Sequence, residues 1–207
     1  MIELSNALMG MCPDKNRTVY NKATFLRLVE RDKTEPAISI NRFRVELVRT
    51  HLGDRAHVLD IGIGAGTFLK AHGHCLGFDI NRHAVNWLKK DGLFFDPYWD
   101  NYHEARIKGV CFFDSLEHIV DPGRILCRLT TQRVFVSIPI FHNKKHVYQS
   151  KHFKPGEHLW YFTRDGFLSF MAGYGFAPIE ERRDETDLGR EDIKTFVFKK
   201  RESGNGR

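Results

Sequence analysis

The chain reads Val58-Leu59-Asp60-Ile61-Gly62-Ile63-Gly64-Ala65-Gly66-Thr67-Phe68-Leu69 at the point that decides its fold. A short apolar run, typical of a buried strand, meets three alternating glycines and then a pattern that can start a helix at Thr67. Glycine suits a backbone that turns sharply and lets a ligand approach closely. The helix start beyond the loop offers unpaired N–H groups. The stretch therefore predicts a strand–loop–helix unit with a ligand at the loop.

Strand and helix patterns alternate around this loop. Predicted strands cover residues 57–62, 74–79, 93–96, 109–114 and 133–138, and predicted helices cover residues 67–72 and 82–90. Thr163 can cap a later helix that ends at Gly173, and residues 176–181 and 195–199 can pair as a hairpin. We expect an α/β fold: a single Rossmann-like, doubly wound, mostly parallel seven-stranded sheet with a C-terminal antiparallel hairpin.

The amino-terminal side of the loop carries helical spacing in residues 17–33 and 41–52. Asn41 is the expected N-cap of the second of these helices, and Gly53 is the expected stop. We expect residues 1–56 to form a helical segment that caps or covers the substrate. Residues 57–200 then form the main domain, and residues 201–207 form a frayed polar tail.

The composition of the 207 residues excludes several classes of protein. The chain is 42% apolar and 28% charged, which is ordinary for a globular protein, and its 17 Phe residues argue against disorder. No apolar run approaches the ~20 residues of a membrane helix, so we expect no membrane insertion. The start lacks the pattern of a signal peptide, and the four cysteines form no CxxC motif. Both features predict a cytoplasmic protein with reduced thiols.

The net charge of +6 is unevenly distributed. Residues 140–164 hold five Lys and Arg against one acid, and residues 1–56 hold ten against seven. Residues 57–139 are balanced, with nine of each sign. Two interpretations stay open: solvated faces, or a basic surface for an acidic small molecule or a nucleic acid.

Two carboxylates narrow the class of ligand at the glycine loop. Asp79 ends the second predicted strand, 19 residues after Asp60, where it can accept hydrogen bonds from both hydroxyls of a ribose. A dinucleotide fingerprint needs a glycine or alanine where this chain has Thr67 or Leu69, and no phosphate loop occurs anywhere. Asp60 would repel a pyrophosphate, whereas it suits a cationic ligand that carries an amino group.

Three motifs in order resemble those of class I S-adenosylmethionine-dependent methyltransferases, in particular the small quinone, sugar and tailoring enzymes. They are Asp60-x-Gly62-x-Gly64-x-Gly66, Gly77-x-Asp79 and Phe113-Asp114-x-Leu116-x-His118-Ile119-x-Asp121-Pro122. The resemblance covers residues 57–180 and implies S-adenosyl-L-methionine as the cofactor. It implies that Asp60, Gly62, Gly64 and Gly66 hold the methionine part, Asp79 the ribose, Ile80 and Asp96 the adenine, and that Asp114 lies near the methyl sulfonium.

The catalytic prediction rests on His118, which follows the fourth predicted strand. An imidazole titrates near neutrality, so His118 could take a proton from a hydroxyl or an amine. It could equally pack the turn before Pro122, and Glu117 could play either part. The candidates for substrate contact in the basic, aromatic segment are His142, Tyr148, His158 and Trp160; packing beneath a solvated lid is their alternative. The pairs His142/His146 and His72/His74 lack partner ligands, so we expect no metal site.

The sequence therefore predicts a methyltransferase that acts on an O or N atom of a small or medium acceptor, which the basic segments allow to be acidic. A second reading is a nucleic-acid or nucleotide base N-methyltransferase, because Phe95-Asp96-Pro97-Tyr98-Trp99 approximates the D-P-P-Y signature of such enzymes. A third is a cofactor-binding partner protein without catalysis.

Overall fold

The glycine-rich stretch starts from a strand in the middle of a parallel sheet. The computed structural model describes residues 3–4, 9–11, 20–131 and 133–201. The strands are β1 Glu3–Leu4, β2 Met9–Met11, β3 Val58–Ile61, β4 Cys75–Phe78, β5 Gly109–Phe113, β6 Arg133–Phe141, β7 Trp160–Thr163, β8 Phe176–Arg182 and β9 Ile193–Lys200. The helices are α1 Lys22–Arg31, α2 Glu35–Leu52, α3 Thr67–His72, α4 Arg82–Lys90, α5 Gly123–Leu126, α6 Lys144–Gln149, α7 Arg164–Gly173 and α8 Asp184–Asp187.

The sheet has the predicted Rossmann-like order. Strands β4, β3, β5 and β6 pair in parallel, and β9 and β8 continue the sheet in antiparallel fashion. Helices cover both faces, as alternating strands and helices require. The mostly parallel α/β fold with a C-terminal antiparallel hairpin is thus confirmed. The far end of β6 also pairs with β7, which carries β2 and β1 as a small antiparallel extension.

The third predicted strand is shorter than the sequence pattern indicates. Of residues 93–96, Phe94 alone makes a bridge, to Gly77 of β4. The Gly77 N–H donates to the Leu93 carbonyl at 2.8 Å, and the Phe95 N–H donates to the Gly77 carbonyl at 3.0 Å. Gly92, which adopts a left-handed conformation (φ 68°), precedes this bridge, and Pro97 follows it. The third predicted strand is therefore limited to one bridge beside β4.

The amino-terminal helices differ from the expected boundaries. Asn41 does not cap a helix: it lies buried inside α2 and donates its Nδ2 to the Ala37 carbonyl at 3.0 Å. The helix begins six residues earlier because Pro36 fits the first turn, where no intrahelical N–H is needed. Asn21 caps α1 instead, and Gly53 ends α2 as expected (φ 87°). The part of the predicted helix at 17–19 lies outside the described residues.

The two helices of segment 1–56 pack against different parts of the molecule. Helix α2 packs into the core through Val45, Leu47 and Val48, so it belongs structurally to the main domain. Helix α1 lies over the glycine loop, with the Leu28 side chain against Gly64. Tyr20 and Arg31 line the cleft beside that loop. Of the described residues in segment 1–56, those that line the cleft are Tyr20 and two residues of α1, Leu28 and Arg31, so the expected substrate cover stays a prediction for this part.

The carboxyl-terminal half follows the predicted pattern. The Thr163 hydroxyl accepts the Gly166 N–H at 3.2 Å and caps α7, whose last residue is Gly173. The side chains of Phe167 and Met171 are fully buried between α7 and the sheet. None of the described helices is both long and apolar enough to cross a membrane.

Candidate active site

A cleft of about 780 Å³ opens at the carboxyl ends of β3, β4 and β5. This is the edge at which an open α/β sheet binds ligands. Its walls come from the glycine loop, from α1, from the turn after β5 and from the 150–158 loop, which is the segment between α6 and β7. The cleft therefore brings the motifs of the sequence resemblance to one place.

The three glycines of the loop all adopt left-handed backbone angles, with φ of 85° at Gly62, 55° at Gly64 and 74° at Gly66. A Cβ atom on Gly62 would overlap the Ser115 Cβ, and one on Gly66 would lie 2.7 Å from the Trp87 ring. These glycines are required both by conformation and by close approach. Gly62 and Gly64 line the cleft, as the sequence predicts for a cofactor loop.

Asp79 lies at the end of β4 and faces the cleft. Its Oδ2 accepts the Gly64 N–H at 3.1 Å and its Oδ1 accepts the Asn81 N–H at 2.8 Å. Burial raises the pKa of this carboxyl, although these backbone hydrogen bonds favour the charged form. A carboxylate has about four acceptor sites, so two bonds leave room for ribose hydroxyls. Ile80 beside it is 67% exposed and forms part of the rim.

Asp60 lies behind the loop rather than in the cleft. It is 3% exposed, and its Oδ1 has no hydrogen-bond partner. Burial raises its pKa to about 7, against the favourable charge of Arg44. Its predicted contact with the methionine part of a cofactor would therefore run through the loop backbone.

Asp96 makes hydrogen bonds within its own turn, residues 96–100. Its Oδ1 accepts the Tyr98 N–H at 2.9 Å, and its N–H donates to Asp100 Oδ2 at 2.7 Å. Asp96 does not line the cleft, whereas Tyr98 and Trp99 do, and Trp99 is 78% exposed. The predicted contact of Asp96 with an adenine amino group therefore stays a prediction, which would require its carboxylate to turn from this loop toward the cleft.

Asp114 ends β5 in a left-handed conformation (φ 57°) and faces the cleft. Arg44 of α2 donates to its Oδ2 at 2.7 Å, and Arg190 lies 2.8 Å from each of its oxygens. Burial alone would raise its pKa, but Arg190 and Arg44 outweigh burial and hold the pKa of Asp114 well below its usual range. Asp114 is thus a fixed anion at the cleft wall.

The charge network continues below the cleft through Glu185, which is fully buried. Arg44 donates to both Glu185 oxygens, at 2.8 and 2.9 Å, and the Ser137 hydroxyl donates to Oε1 at 2.7 Å. Neither Arg44, Glu185 nor Arg190 was predicted from the sequence. A signal was present for Arg44, because it stands between Ile40 and Val48 on the apolar face of α2.

His118 lies in the 3₁₀ turn after β5, at the cleft. The Glu157 backbone carbonyl lies 2.8 Å from its Nδ1, so Nδ1 carries the proton and Nε2 keeps a lone pair. The Tyr20 hydroxyl lies 3.3 Å from the same Nδ1. Burial lowers the pKa of His118, so the imidazole is neutral at neutral pH. The predicted role as a proton acceptor is compatible with the tautomer that this hydrogen bond favours.

Glu117 and His158 complete this end of the cleft. They are 1% and 4% exposed, and Glu117 Oε2 and His158 Nδ1 have no hydrogen-bond partner. Glu117 Oε1 lies 3.8 Å from His118 Nε2, and the rings of His118 and His158 meet edge to face at 4.6 Å. Burial, followed by repulsion from Asp114, raises the pKa of Glu117 to about 8. Burial is the main cause, and the charge of neighbouring His118 the second, of the lowered pKa of His158, which is about 2.

The other predicted substrate residues lie outside the cleft lining. His142 is exposed and its N–H donates to His146 Nδ1 at 3.1 Å, and Tyr148 is exposed on α6. Trp160 Nε1 donates to the Ile119 carbonyl at 2.8 Å, and the indole packs against the core. The segment after β6 turns away along α6, so of the four predicted residues the cleft receives His158 alone.

The charge of the cleft is mixed. Its basic lining residues are Arg31, Arg124, Lys154 and Arg190, and its acidic ones are Asp79, Asp114, Glu117, Asp121 and Glu157. Of the basic segment 140–164, Lys154 alone among the lysines reaches the cleft, and it pairs with Glu157 at 3.3 Å. The net charge of the chain therefore does not select an acidic acceptor.

Comparisons with known proteins agree with the fold. A family model described as a methyltransferase domain matches residues 28–181, about three quarters of the chain. A search of curated protein sequences finds no match.

Three solved structures illustrate the similarity. A Haloferax volcanii methyltransferase in complex with the Trm112 activator is 13% identical, with a TM-score of 0.64 over 89% of this chain and 99% of that one. Magnesium protoporphyrin IX methyltransferase from Synechocystis PCC 6803, with bound SAH, is also 13% identical, with a TM-score of 0.60 over 87% and 94%. Burkholderia thailandensis 1,6-didemethyltoxoflavin-N1-methyltransferase is 17% identical, with a TM-score of 0.56 over 97% and 99%.

At such identities the solved structures establish the fold alone, whereas the family model covers the glycine loop, Asp79 and the turn that carries His118. With the ordered motifs gathered at one cleft, the chain belongs to the methyltransferase-domain family of class I S-adenosylmethionine-dependent methyltransferases.

Proposed function

We propose that this protein transfers the methyl group of S-adenosyl-L-methionine to an oxygen or nitrogen of a small or medium acceptor held between α1 and the 150–158 loop. The observation that carries the proposal is the tautomer of His118: this residue lines the cleft beyond the glycine loop, and the Glu157 carbonyl at its Nδ1 leaves Nε2 with a lone pair. An acceptor hydroxyl or amine placed there can lose its proton to this nitrogen.

The residues present fit the cofactor. The loop backbone at Gly62 and Gly64 approaches the cleft without side chains, and Asp79 offers carboxylate oxygens beside it. Ile80 and Trp99 provide exposed apolar surface at the rim for a flat ring. When bound, the cofactor supplies a methyl carbon that its positively charged sulfur already activates. The protein then needs to align the acceptor, exclude water and receive a proton.

The chain can exclude water at the reacting end. Tyr20 and Leu28 cover the cleft from the side of α1, and the loop with Glu157 and His158 closes it from the other side. Asp114, fixed by two arginines, keeps a negative charge at the wall. Arg44 and Arg190 balance Asp114 and Glu185, so this network fixes the wall of the cleft without adding net charge.

The base-methylation reading receives less support from the geometry. In that reading the Pro97 carbonyl would hold the amino group of a flipped base. Here that carbonyl already accepts the Tyr102 hydroxyl at 3.2 Å and the Arg128 Nε at 3.2 Å. The Asp96 carboxylate is likewise engaged in its own turn. Binding to DNA or RNA at low salt, falling steeply as salt rises, would revive this reading.

Calorimetry with S-adenosyl-L-methionine tests the cofactor half of the proposal. Asp79→Ala should weaken binding strongly, whereas Asp91→Ala, at the far end of α4 on the surface, should leave it unchanged. Absence of binding by the unaltered protein would refute the proposal entirely. The non-catalytic alternative is tested separately, by incubating the protein with labelled cofactor and a cell extract fractionated by size. Binding without transfer to any fraction would favour the alternative.

A further inference from the structure

Three side chains at the acceptor end of the cleft converge on one point. Glu117 and His118 come from the turn after β5, and His158 comes from the segment before β7. Each offers one oxygen or nitrogen atom, and the three atoms lie within 4.8 Å of one another. Among the residues that the structure describes, this is the one group of three or more His, Cys, Asp or Glu side chains with such spacing.

Two of these side chains are buried with unsatisfied polar atoms. Glu117 Oε2 and His158 Nδ1 lack hydrogen-bond partners, and the two residues are 1% and 4% exposed. A buried carboxylate or imidazole nitrogen without a partner is costly, and most native buried polar atoms are paired. A cation bound by both side chains would offset this cost.

The third side chain is already oriented as a ligand. The His118 Nδ1–H donates to the Glu157 carbonyl at 2.8 Å, which leaves Nε2 unprotonated. Histidines that bind metals commonly donate their other ring N–H to a backbone carbonyl or carboxylate in this way. The 3.8 Å between His118 Nε2 and Glu117 Oε1 is too long for a hydrogen bond. It suits two ligands of one ion, which at bond lengths of about 2.1 Å stand about 3.4 Å apart.

We infer that Glu117, His118 and His158 form a site for one divalent transition-metal ion, with a free coordination position toward the cleft. Two imidazoles and one carboxylate suit Zn²⁺ and neighbouring ions of the first row, and three protein ligands leave room for a further ligand. Binding of the ion requires the outermost of these atoms to approach one another by up to about 1.4 Å through side-chain rotation. The histidine pairs considered in the sequence, His142/His146 and His72/His74, are not part of this site.

This inference deepens the proposed function. The metal site itself does not depend on that function, but its catalytic consequence rests on it. All three ligands line the cleft where the acceptor is expected, so an acceptor oxygen can occupy the free position. A bound ion would lower the pKa of a coordinated hydroxyl, so that its proton leaves to water in the cleft. The resulting oxygen would bond to the methyl carbon as the cofactor's sulfur departs as a neutral thioether, and His118 would act as a ligand rather than as the proton acceptor. The acceptor class becomes a molecule that presents a hydroxyl group at the transferred position.

The direct test is a titration of the chelator-treated protein with Co²⁺, followed by its visible absorption, and measurement of bound Zn²⁺ after gel filtration. We expect one ion per chain. Glu117→Gln and His158→Gln should each weaken binding at least about 100-fold. His152→Gln is the matched control, because His152 also lines the cleft but its Nε2 is held by the Glu191 carbonyl at 2.8 Å. Circular dichroism checks that all variants fold.

Less than one tightly bound ion per chain, unaltered affinity in both ligand variants, or equal loss in His152→Gln would overturn the inference. Calorimetry with S-adenosyl-L-methionine on the metal-free protein separates the two claims. Cofactor binding without metal binding would leave the proposed function standing and remove the metal site. Metal binding without cofactor binding would do the opposite.

Discussion

Replacing Arg44 with methionine removes the central cation of a buried network while keeping a side chain of similar length. Arg44 is 9% exposed at its side chain and makes two hydrogen bonds to Glu185 and one to Asp114. After Arg44→Met, Glu185 retains Arg190 and the Ser137 hydroxyl, and Asp114 retains Arg190. Both carboxylates thus lose one of their two cations in a site that excludes water.

The expected cost lies at the lower end of the range for breaking a buried pair, about 3 kcal/mol, because Arg190 still compensates part of the charge. With a urea dependence of about 2 kcal/mol per M, the unfolding midpoint should fall by about 1.5 M. The measurement is urea unfolding at neutral pH, followed by tryptophan fluorescence.

Arg164→Met is the control for this measurement. Arg164 pairs with Glu181 at 2.7 Å, but half of its side chain is exposed, and exposed pairs contribute about 0–1 kcal/mol. Equal shifts for the two variants would refute the reasoning, since burial would then have no influence. The double variant Arg44→Met/Glu185→Leu should cost less than the two single changes together, because no lone charge is left.

Three further changes have distinct outcomes. Gly62→Ala should destabilise the protein by at least about 1–2 kcal/mol, from its φ of 85° and the overlap with Ser115, and weaken cofactor binding at least tenfold by calorimetry; tolerance would contradict the close approach. Asp60→Asn should stabilise the free protein more at pH 8 than at pH 5, by about 2–3 kcal/mol. Because the pKa of Asp60 in the folded protein is raised to about 7, its protonated form stabilises the fold at pH values below the pKa in the unfolded chain, and this stabilisation is lost as the pH rises through 7. A difference in stability between variant and unaltered protein that does not change with pH would refute this assignment. Trp99→Ala should change the free energy of unfolding by less than about 0.5 kcal/mol but raise the KM for cofactor or acceptor, since the indole is 78% exposed at the cleft.

Local patterns predicted the fold because they are themselves the cause of the local structure. The apolar run at 58–61 and the glycines after it require a buried strand and a left-handed loop, and the structure has both. The start of α2 was predicted wrongly at Asn41, because a polar residue inside an apolar pattern resembles a cap. Pro36 marks the true start, because proline fits the first turn of a helix.

The candidate site was less accessible to prediction, because its parts come from distant segments. Glu117 and His118 could be placed by motif, and their positions in the cleft agree with the expected edge of the sheet. Their partners, the Glu157 carbonyl and the Arg44–Glu185 pair, depend on tertiary packing that leaves no spacing signal. His142 and Tyr148 were proposed because their segment follows the fifth predicted strand and is basic and aromatic, and neither feature reveals the direction in which a loop leaves a strand.

The carbonyl that holds His118 belongs to a loop 39 residues further along the chain. Which ring nitrogen of His118 carries the proton therefore depends on the position of that loop. Without that carbonyl, the imidazole proton would be free to occupy either nitrogen, and the tautomer with its proton on Nε2 would lack the lone pair that the proposed proton transfer needs. We therefore expect a shortened 150–158 loop to slow turnover while leaving cofactor affinity intact.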